Sequence, residues 1–144
     1  MRKNLHILLT AVWVIVIFSH SLQTGLQSSQ TSGLFTSLIY DFLTWLSISV
    51  DPSNLGIVVR KIGHIVEFFI LGILLIRTYQ VFEFGPIRSV IYAIATGLLV
   101  GVVDETTQLF VEGRAGTVAD VGIDMIGVIL GVGLILLIQK IKDK

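Results

Sequence analysis

RKIGHIVEFF, residues 60–69, combines apolar and ionisable residues in the middle of this 144-residue chain. It lies in an apolar segment, residues 57–76, that is long enough to cross a membrane, because a span needs about 20 mostly apolar residues. The stretch nevertheless carries four ionisable side chains: Arg60, Lys61, His64 and Glu67. An isolated charge is costly inside a bilayer, so these groups must pair, bind a ligand or line a wet cavity.

The composition around this stretch is that of a membrane protein. Hydrophobic residues make up 53% of the chain and charged residues only 14%, whereas a soluble domain averages about 25% charged residues. The net charge is zero, which gives no indication of nucleic-acid binding. The chain has no cysteine, and this excludes disulfides, thiolate metal sites and a cysteine nucleophile. The length predicts a single domain over residues 1–144.

Four segments are predicted to cross the membrane as helices. They are residues 5–21, residues 57–76, a segment from 87 to beyond 103, and residues 118–138. The N-terminus also has the form of a signal peptide, with Arg2 and Lys3 before an apolar run. No A-x-A-like cleavage site follows, so we expect a retained first span.

The distribution of Lys and Arg predicts the orientation, because cytoplasmic connections are enriched in them. Residues 22–56 contain neither, and the connection between the third and fourth spans contains only Arg114. Apart from those in residues 60–69, the remaining Lys and Arg residues lie at the termini and in the middle connection: Arg2, Lys3, Arg77, Arg88, Lys140, Lys142 and Lys144. The sequence therefore predicts an all-α polytopic membrane protein with four transmembrane helices and cytoplasmic N- and C-termini. The charged part of the second span then faces outward.

The first outer connection is predicted to have two parts. Residues 21–33 are polar and uncharged, which is typical of a loop. Residues 34–48 show helical spacing of apolar side chains, with Ser32 as the N-cap. This helix is too short to span, so it either lies in the outer interface or packs on the spans. Residues 51–54, DPSN, indicate a turn.

A second polar segment, residues 104–124, is predicted to form a helical hairpin on the same outer side. Gly113 and Gly116 mark its turn. Thr117 with Asp120 has the form of a capping box in which Asp replaces the usual Glu.

The two arms of this hairpin should bring acids together. Asp104 and Asp124 each lie roughly 15 Å from the turn at 1.5 Å per residue. We therefore expect them to face each other, with Gln108 and Asp120 one turn above. Residues 127–131 then form a G-x-x-x-G pattern, which allows close helix contact.

Two interpretations of these groups stay open. Arg60, His64 and Glu67 share one helix face at i, i+4 and i+7. In a structural network, Arg60 and Arg114 would neutralise the acids, namely Glu67, Asp104, Asp120 and Asp124. In a functional pocket, the default for ionisable groups in a membrane, the two polar segments would form opposite walls. His20 either joins this pocket or is solvated at the edge of a loop.

These motifs resemble those of the VanZ-like family of bacterial membrane proteins. Its pattern is similar to R-K-x-x-H-x-x-E-F on one helix, followed by D-E-x-x-Q-x-F-x-x-x-R-x-x-x-x-x-D-x-x-x-D-x-x-G. The chain matches this pattern at Arg60, Lys61, His64, Glu67, Phe68, Asp104, Glu105, Gln108, Arg114, Asp120, Asp124 and Gly127. The resemblance covers nearly the whole chain, and His20 is its one departure.

The resemblance implies a multi-pass protein of a bacterial plasma membrane, in Gram-positive bacteria, linked to low-level glycopeptide and lipoglycopeptide resistance. The founding member of the family gives resistance to teicoplanin but little to vancomycin, and relatives outside resistance clusters suggest a housekeeping envelope role. The outer pocket would bind or remodel an envelope lipid headgroup or an antibiotic moiety. Its partners would be membrane lipids, lipid-linked cell-wall intermediates or a lipoglycopeptide, with no nucleic acid. The oligomeric state stays open.

The expected ligand-binding residues combine bases and acids. Arg suits bidentate contacts to phosphate, so Arg60, Lys61 and Arg114 would hold an anionic group. The full expected set is Arg60, Lys61, His64, Glu67, Asp104, Gln108, Arg114, Asp120 and Asp124.

The alternative function is a metal-dependent or acid/base envelope enzyme that acts on a lipid-linked substrate. Carboxylate-rich sites suit Mg²⁺ or Mn²⁺. The candidate metal ligands are His64, Glu67, Asp104, Asp120 and Asp124. The candidate catalytic residues are His64, Glu67, Asp104 and Glu105, with Glu67 or His64 as general base. A transport role is disfavoured, because transporter sites lie near the midplane and these groups stop in the outer half.

Overall fold

The computed structural model describes residues 2–143, without the side chain of Arg2, and this part of the chain forms five α-helices. Lys144, one of the basic residues behind the predicted orientation, lies outside the described residues. The helices are α1 (Arg2–Ser21), α2 (Gly25–Trp45), α3 (Pro52–Val81), α4 (Pro86–Gln108) and α5 (Val118–Lys142). The predicted all-α fold is confirmed for the described residues.

Helix α3 is the central element, and α1, α2, α4 and α5 all pack against it. Its 30 residues make it about 45 Å long, which exceeds the predicted span of residues 57–76. The predicted turn at residues 51–54 is wrong, because the helix begins there. Asp51 is the N-cap and accepts a hydrogen bond from the backbone N–H of Ser53 at 2.9 Å, while Pro52 takes the first helical position.

Helices α3 and α5 approach closely through glycines. A Cβ on Gly127 would lie 2.5 Å from the carbonyl oxygen of Ile65, and one on Gly131 would collide with the carbonyl oxygen of Phe69. From the other side, a Cβ on Gly72 would lie 2.5 Å from the carbonyl oxygen of Val128. The close contact predicted from the G-x-x-x-G pattern is therefore confirmed.

Helix α2 corrects the prediction for the first long connection. It begins at Gly25, so most of the predicted loop 21–33 is helical, and Ser32 lies inside the helix rather than at its N-cap. The N-cap is Thr24, which forms a reciprocal capping box with Gln27. The serine and threonine content of residues 28–32 is typical of a loop, but their hydroxyls bond to carbonyls within the helix.

The two ends of the bundle differ. At one end, here called the site end, α1 and α4 finish while α3 and α5 begin. At the opposite end the Thr10 and Thr78 hydroxyls lie 2.9 Å apart, and the side chains of Gln80 and Gln139 hydrogen-bond to each other. Between the two ends lies an apolar core that includes Phe68, Leu71, Leu75, Ile76, Ala93, Val128 and Val132.

Three of the described helices are long and apolar enough to cross a membrane: α1 over Lys3–Ser21, α4 and α5. They correspond to the first, third and fourth predicted spans. Helix α3, the second predicted span, is not one of the three. Length and composition therefore support three spans and leave the fourth span and the orientation as predictions.

Candidate functional site

The site end is built around a contact between α3 and α5. The Nδ1 atom of His64 lies 3.1 Å from Oδ1 of Asp124. Asp124 is fully buried, whereas the His64 side chain keeps 17% of its surface exposed. This contact lies within one turn of the Gly127–Ile65 approach, so the glycine that brings the two backbones together also positions this pair.

Helix α4 supplies two further buried acids. Gln108 donates to Oδ2 of Asp104 at 2.9 Å and to Oε1 of Glu105 at 3.3 Å. The backbone N–H of Thr117 donates to Oε2 of Glu105 at 2.9 Å. The expected capping box at Thr117 is therefore only half right. Its hydroxyl accepts from the N–H of Asp120 as expected, but its own N–H goes to Glu105.

Four of these groups converge. His64, Asp104, Glu105 and Asp124 each offer one nitrogen or oxygen atom, and all four atoms lie within 4.8 Å of one another. We call them the four-residue cluster. Asp104 faces Asp124 as predicted from the hairpin. Glu67 and Asp120, which the sequence placed among the metal ligands, are not part of this cluster.

Glu67 has a different partner, His20 at the end of α1. The Nδ1 atom of His20 lies 2.6 Å from Oε1 of Glu67. The backbone carbonyl of Glu67 also accepts a hydrogen bond from Trp13 at 2.9 Å. Of the two alternatives left open for His20, the structure supports the one in which it joins the pocket, although its side chain is 47% exposed.

The Arg–carboxylate network, one of the two interpretations left open by the sequence, does not form among the described residues. Their ion pairs within 4.0 Å are the two histidine–carboxylate contacts, and neither Arg60 nor Arg114 takes part. Arg114 instead donates to the hydroxyl of Ser28 at 2.7 Å and to the carbonyl of His20 at 3.4 Å. Its Nε atom is buried and has no partner among the described residues. Burial, followed by the positive charge of Arg60, lowers the pKa of the Arg114 guanidinium.

Two adjoining cavities open onto these groups. One, of about 170 Å³, lies between α3, α4, α5 and the hairpin turn. The other, of about 240 Å³, lies between α1, α2, α3 and α4. Arg60, His64 and Arg114 line both cavities. Eight of the nine expected ligand-binding residues line one cavity or the other, and the ninth, Asp124, is buried behind His64.

The opposite end of the bundle also carries polar groups. Ser89 of α4 is buried there, and Gln139 of α5 pairs with Gln80. The apolar core lies between these groups and the site end. This arrangement gives no support to a polar path through the described part of the bundle.

Several contributors to the site are absent from the sequence-based set. The hydroxyl of Ser21 donates to the backbone carbonyl of Asp104 at 3.1 Å, and Ser28 holds Arg114. The backbone N–H of Gly25 bonds to the carbonyl of Glu112 at 3.0 Å and ties α2 to the hairpin turn. The T-x-x-Q pattern that begins at Thr24 is the available signal, because a helix that starts there has Ser28 in its first turns.

One comparison with known proteins gives a match. A family model described as VanZ/LLP1 matches residues 6–139, which is nearly the whole chain. No curated protein and no solved structure matches the chain.

Proposed function

The chain belongs to the VanZ/LLP1 family, and from this premise we propose that it is a multi-pass protein of the bacterial plasma membrane whose outward-facing site binds the anionic headgroup of an envelope lipid. Its cellular role would be low-level resistance to teicoplanin. The observation that carries the proposal is the position of Arg60 and Arg114, which line both cavities without a carboxylate partner within 4.0 Å among the described residues.

The connectivity of the bundle supports a fourth span. Helix α1 ends at the site end, and α4 begins at the opposite end. If α1, α4 and α5 cross the membrane, α3 must carry the chain back across it. At about 45 Å, α3 exceeds the roughly 30 Å hydrocarbon core. Its N-terminal turns, with Arg60 and Lys61, would then lie at headgroup level.

The charge distribution supports the proposed orientation. Five basic residues lie at or near the opposite end: Lys3, Arg77, Arg88, Lys140 and Lys142. The connection between α1 and α3 contains no Lys or Arg. Because cytoplasmic segments carry the excess of basic residues, the termini would be cytoplasmic and the site end would face outward.

Helix α2 supports an interfacial position. None of its residues is buried, and most of its large apolar side chains are exposed, with Leu34 at 72% and Trp45 at 77%. Its Ser28, Thr31 and Ser32 instead line the cavity. Apolar residues that face outward and polar residues that face the site are the arrangement expected for a helix in the membrane interface.

The site suits an anion. The guanidinium of Arg114 is half-buried, and its Nε has no partner among the described residues. An oxyanion that accepts from this group would restore the missing hydrogen bond, and charge-assisted bonds of this kind are among the strongest. Arg60 and Lys61 are exposed at the rim, where they can attract the headgroup.

Lipid retention by the purified protein tests this proposal. Vesicles of phosphatidylcholine with phosphatidylglycerol supply neutral and anionic headgroups, and native mass spectrometry counts the lipids that stay bound. We expect wild type to retain phosphatidylglycerol preferentially and Arg114→Ala to lose that preference. Arg88→Ala, which removes a cation at the opposite end, is the matched control. Equal retention by wild type and Arg114→Ala would contradict the proposal.

A second candidate function is an acid/base enzyme that acts on a lipid-linked substrate. The observation that favours it is the His64–Asp124 contact, in which a buried carboxylate orients an imidazole that lines both cavities. Such a histidine can act as a general base. Turnover of a phospholipid or a lipid-linked cell-wall intermediate by wild type, lost in His64→Gln, would distinguish an enzyme from a binding protein.

A further inference from the structure

We propose that the four-residue cluster, His64, Asp104, Glu105 and Asp124, binds one divalent metal ion. The inference goes beyond headgroup binding and does not depend on it.

The first argument is incompletely compensated charge. Asp104, Glu105 and Asp124 expose 2%, 4% and 0% of their surfaces. Among the described residues, the one side chain within 4.0 Å that can carry a positive charge is His64, which faces Asp124, and no Lys or Arg lies that close. One imidazole cannot balance three carboxylates, and buried acids without an opposite charge are strongly destabilising. A divalent cation would neutralise most of the charge that these three acids carry when ionised.

The second argument is the presence of free ligand atoms. Oδ1 of Asp104 and Oδ2 of Asp124 are buried and accept no hydrogen bond from the described residues. Buried polar atoms in native proteins almost always have a partner. Each of these oxygens belongs to a carboxylate of the cluster, so a shared cation would satisfy both.

The third argument is distance. Ligand atoms that lie 2.3–2.6 Å from one ion are at most about 5 Å apart, and those at 2.0–2.2 Å are at most about 4.4 Å apart. The four atoms of the cluster lie within 4.8 Å of one another. The 3.1 Å separation between His64 and Asp124 is also close to the distance between neighbouring ligands of an octahedral ion, roughly 3 Å. Binding would need only small side-chain shifts.

The fourth argument is the surrounding hydrogen bonds. Gln108 holds Asp104 and Glu105, and the Thr117 N–H holds Glu105. Groups that orient the ligands in this way are a regular feature of metal sites. They hold the carboxylates in place without using the two free oxygens.

The ligand set indicates the class of ion. Three carboxylates with one imidazole, and no thiolate anywhere in the chain, suit Mn²⁺ or Zn²⁺ better than a soft metal. Mn²⁺ is the better first probe, because its paramagnetism makes bound and free ion directly distinguishable.

The test uses the purified full-length chain in detergent, stripped with EDTA and titrated with Mn²⁺. Electron paramagnetic resonance reports free Mn²⁺, and thermal unfolding reports stabilisation. We expect one Mn²⁺ per chain and a higher unfolding temperature. Asp124→Asn should weaken binding at least about tenfold, the lower bound found when the groups around a metal site are altered. If Asp124→Asn does not fold, Glu105→Gln serves in its place and should also weaken Mn²⁺ binding.

One variant serves as the control. Asp41→Asn, at an exposed position of α2, should bind Mn²⁺ like wild type. A wild-type protein that unfolds cooperatively but binds neither Mn²⁺ nor Zn²⁺ would overturn the inference. Arg114→Ala should keep Mn²⁺ binding, so loss of headgroup binding and loss of metal binding are distinguishable.

Discussion

At the scale of single residues, Gln108 organises the acidic side of the site. It is 5% exposed, and its side-chain amide donates to both Asp104 and Glu105. Ionised carboxylates can only accept hydrogen bonds, so an amide that offers two N–H donors suits a position between two of them. Gln108 thereby fixes the relative position of two acids on α4.

Replacement of Gln108 by Ala removes both donors and leaves two buried carboxylate oxygens without a partner. We expect the unfolding free energy to fall by about 1–3 kcal/mol, the cost of unsatisfied buried acceptors. Thermal unfolding in detergent measures this loss. Gln30→Ala, at an exposed position of α2, is the control and should have little effect. An equally stable Gln108→Ala protein would contradict this role of the amide.

The residue types of the site were predictable from the sequence, but several partners were not. Helical spacing was enough to bring Asp104 opposite Asp124. It could not show that Arg114 bonds to Ser28 instead of an acid, because that contact depends on where α2 packs. Nor could it show that the backbone N–H of Thr117 donates to Glu105. The capping pattern is local in sequence, whereas this hydrogen bond joins the start of α5 to α4.

At the scale of helices, the α3–α5 contact sets the geometry of the site. Gly127 and Gly131 allow the backbone of α5 to touch that of α3 near Ile65 and Phe69. Closer backbones shorten the distance that side chains must bridge, so the imidazole of α3 reaches the buried carboxylate of α5. Without this approach the cluster would lose its imidazole.

Gly131→Ala should therefore destabilise the protein, because its Cβ would collide with the backbone of α3. We expect a loss of about 1–3 kcal/mol, typical of overpacking. Gly133→Ala is the matched control, since open space surrounds that position on the same helix. It should be neutral or stabilising, because Ala is about 1 kcal/mol better than Gly within a helix. Thermal unfolding of both variants checks the difference, and equal effects would contradict the packing.

The helices with a strong apolar run were predicted well, and α2 was not. The starts of α4 and α5 agree with the predicted spans within one residue, whereas α2 begins at Gly25 rather than at Leu34. Hydrophobic periodicity detects a helix by its apolar face, and the first turns of α2 are polar because they line the cavity instead of a core. The reciprocal capping hydrogen bonds between Thr24 and Gln27 stabilise the start of this helix, and hydropathy does not register them.

At the scale of the whole molecule, the buried carboxylates among the described residues all lie at one end of the bundle. The four-residue cluster, His20, Glu67 and Arg114 all lie at the site end, and the apolar core separates them from the opposite end. The charge pattern of the sequence predicted this segregation. The charge pattern could not establish how many helices cross the membrane. Helix α3 is long enough to span, but it also carries charged residues of the site.

Cysteine labelling tests the proposed topology, and the absence of native cysteine removes background labelling. Glu112→Cys lies exposed in the hairpin turn at the site end, and Lys142→Cys lies exposed at the opposite end. We expect a membrane-impermeant maleimide to label Glu112→Cys on intact cells and Lys142→Cys only after permeabilisation. The reverse pattern would place the site in the cytoplasm, and labelling of both on intact cells would show that α5 does not cross the membrane.

The most direct measurement is teicoplanin and vancomycin susceptibility of a deletion strain complemented with wild type, Glu67→Gln or Arg114→Ala. We expect the deletion to become selectively sensitive to teicoplanin. Wild type should restore resistance, and both variants should fail to do so while their expression persists. Unchanged susceptibility of the deletion strain, or full rescue by both variants, would contradict a role for this pocket in resistance.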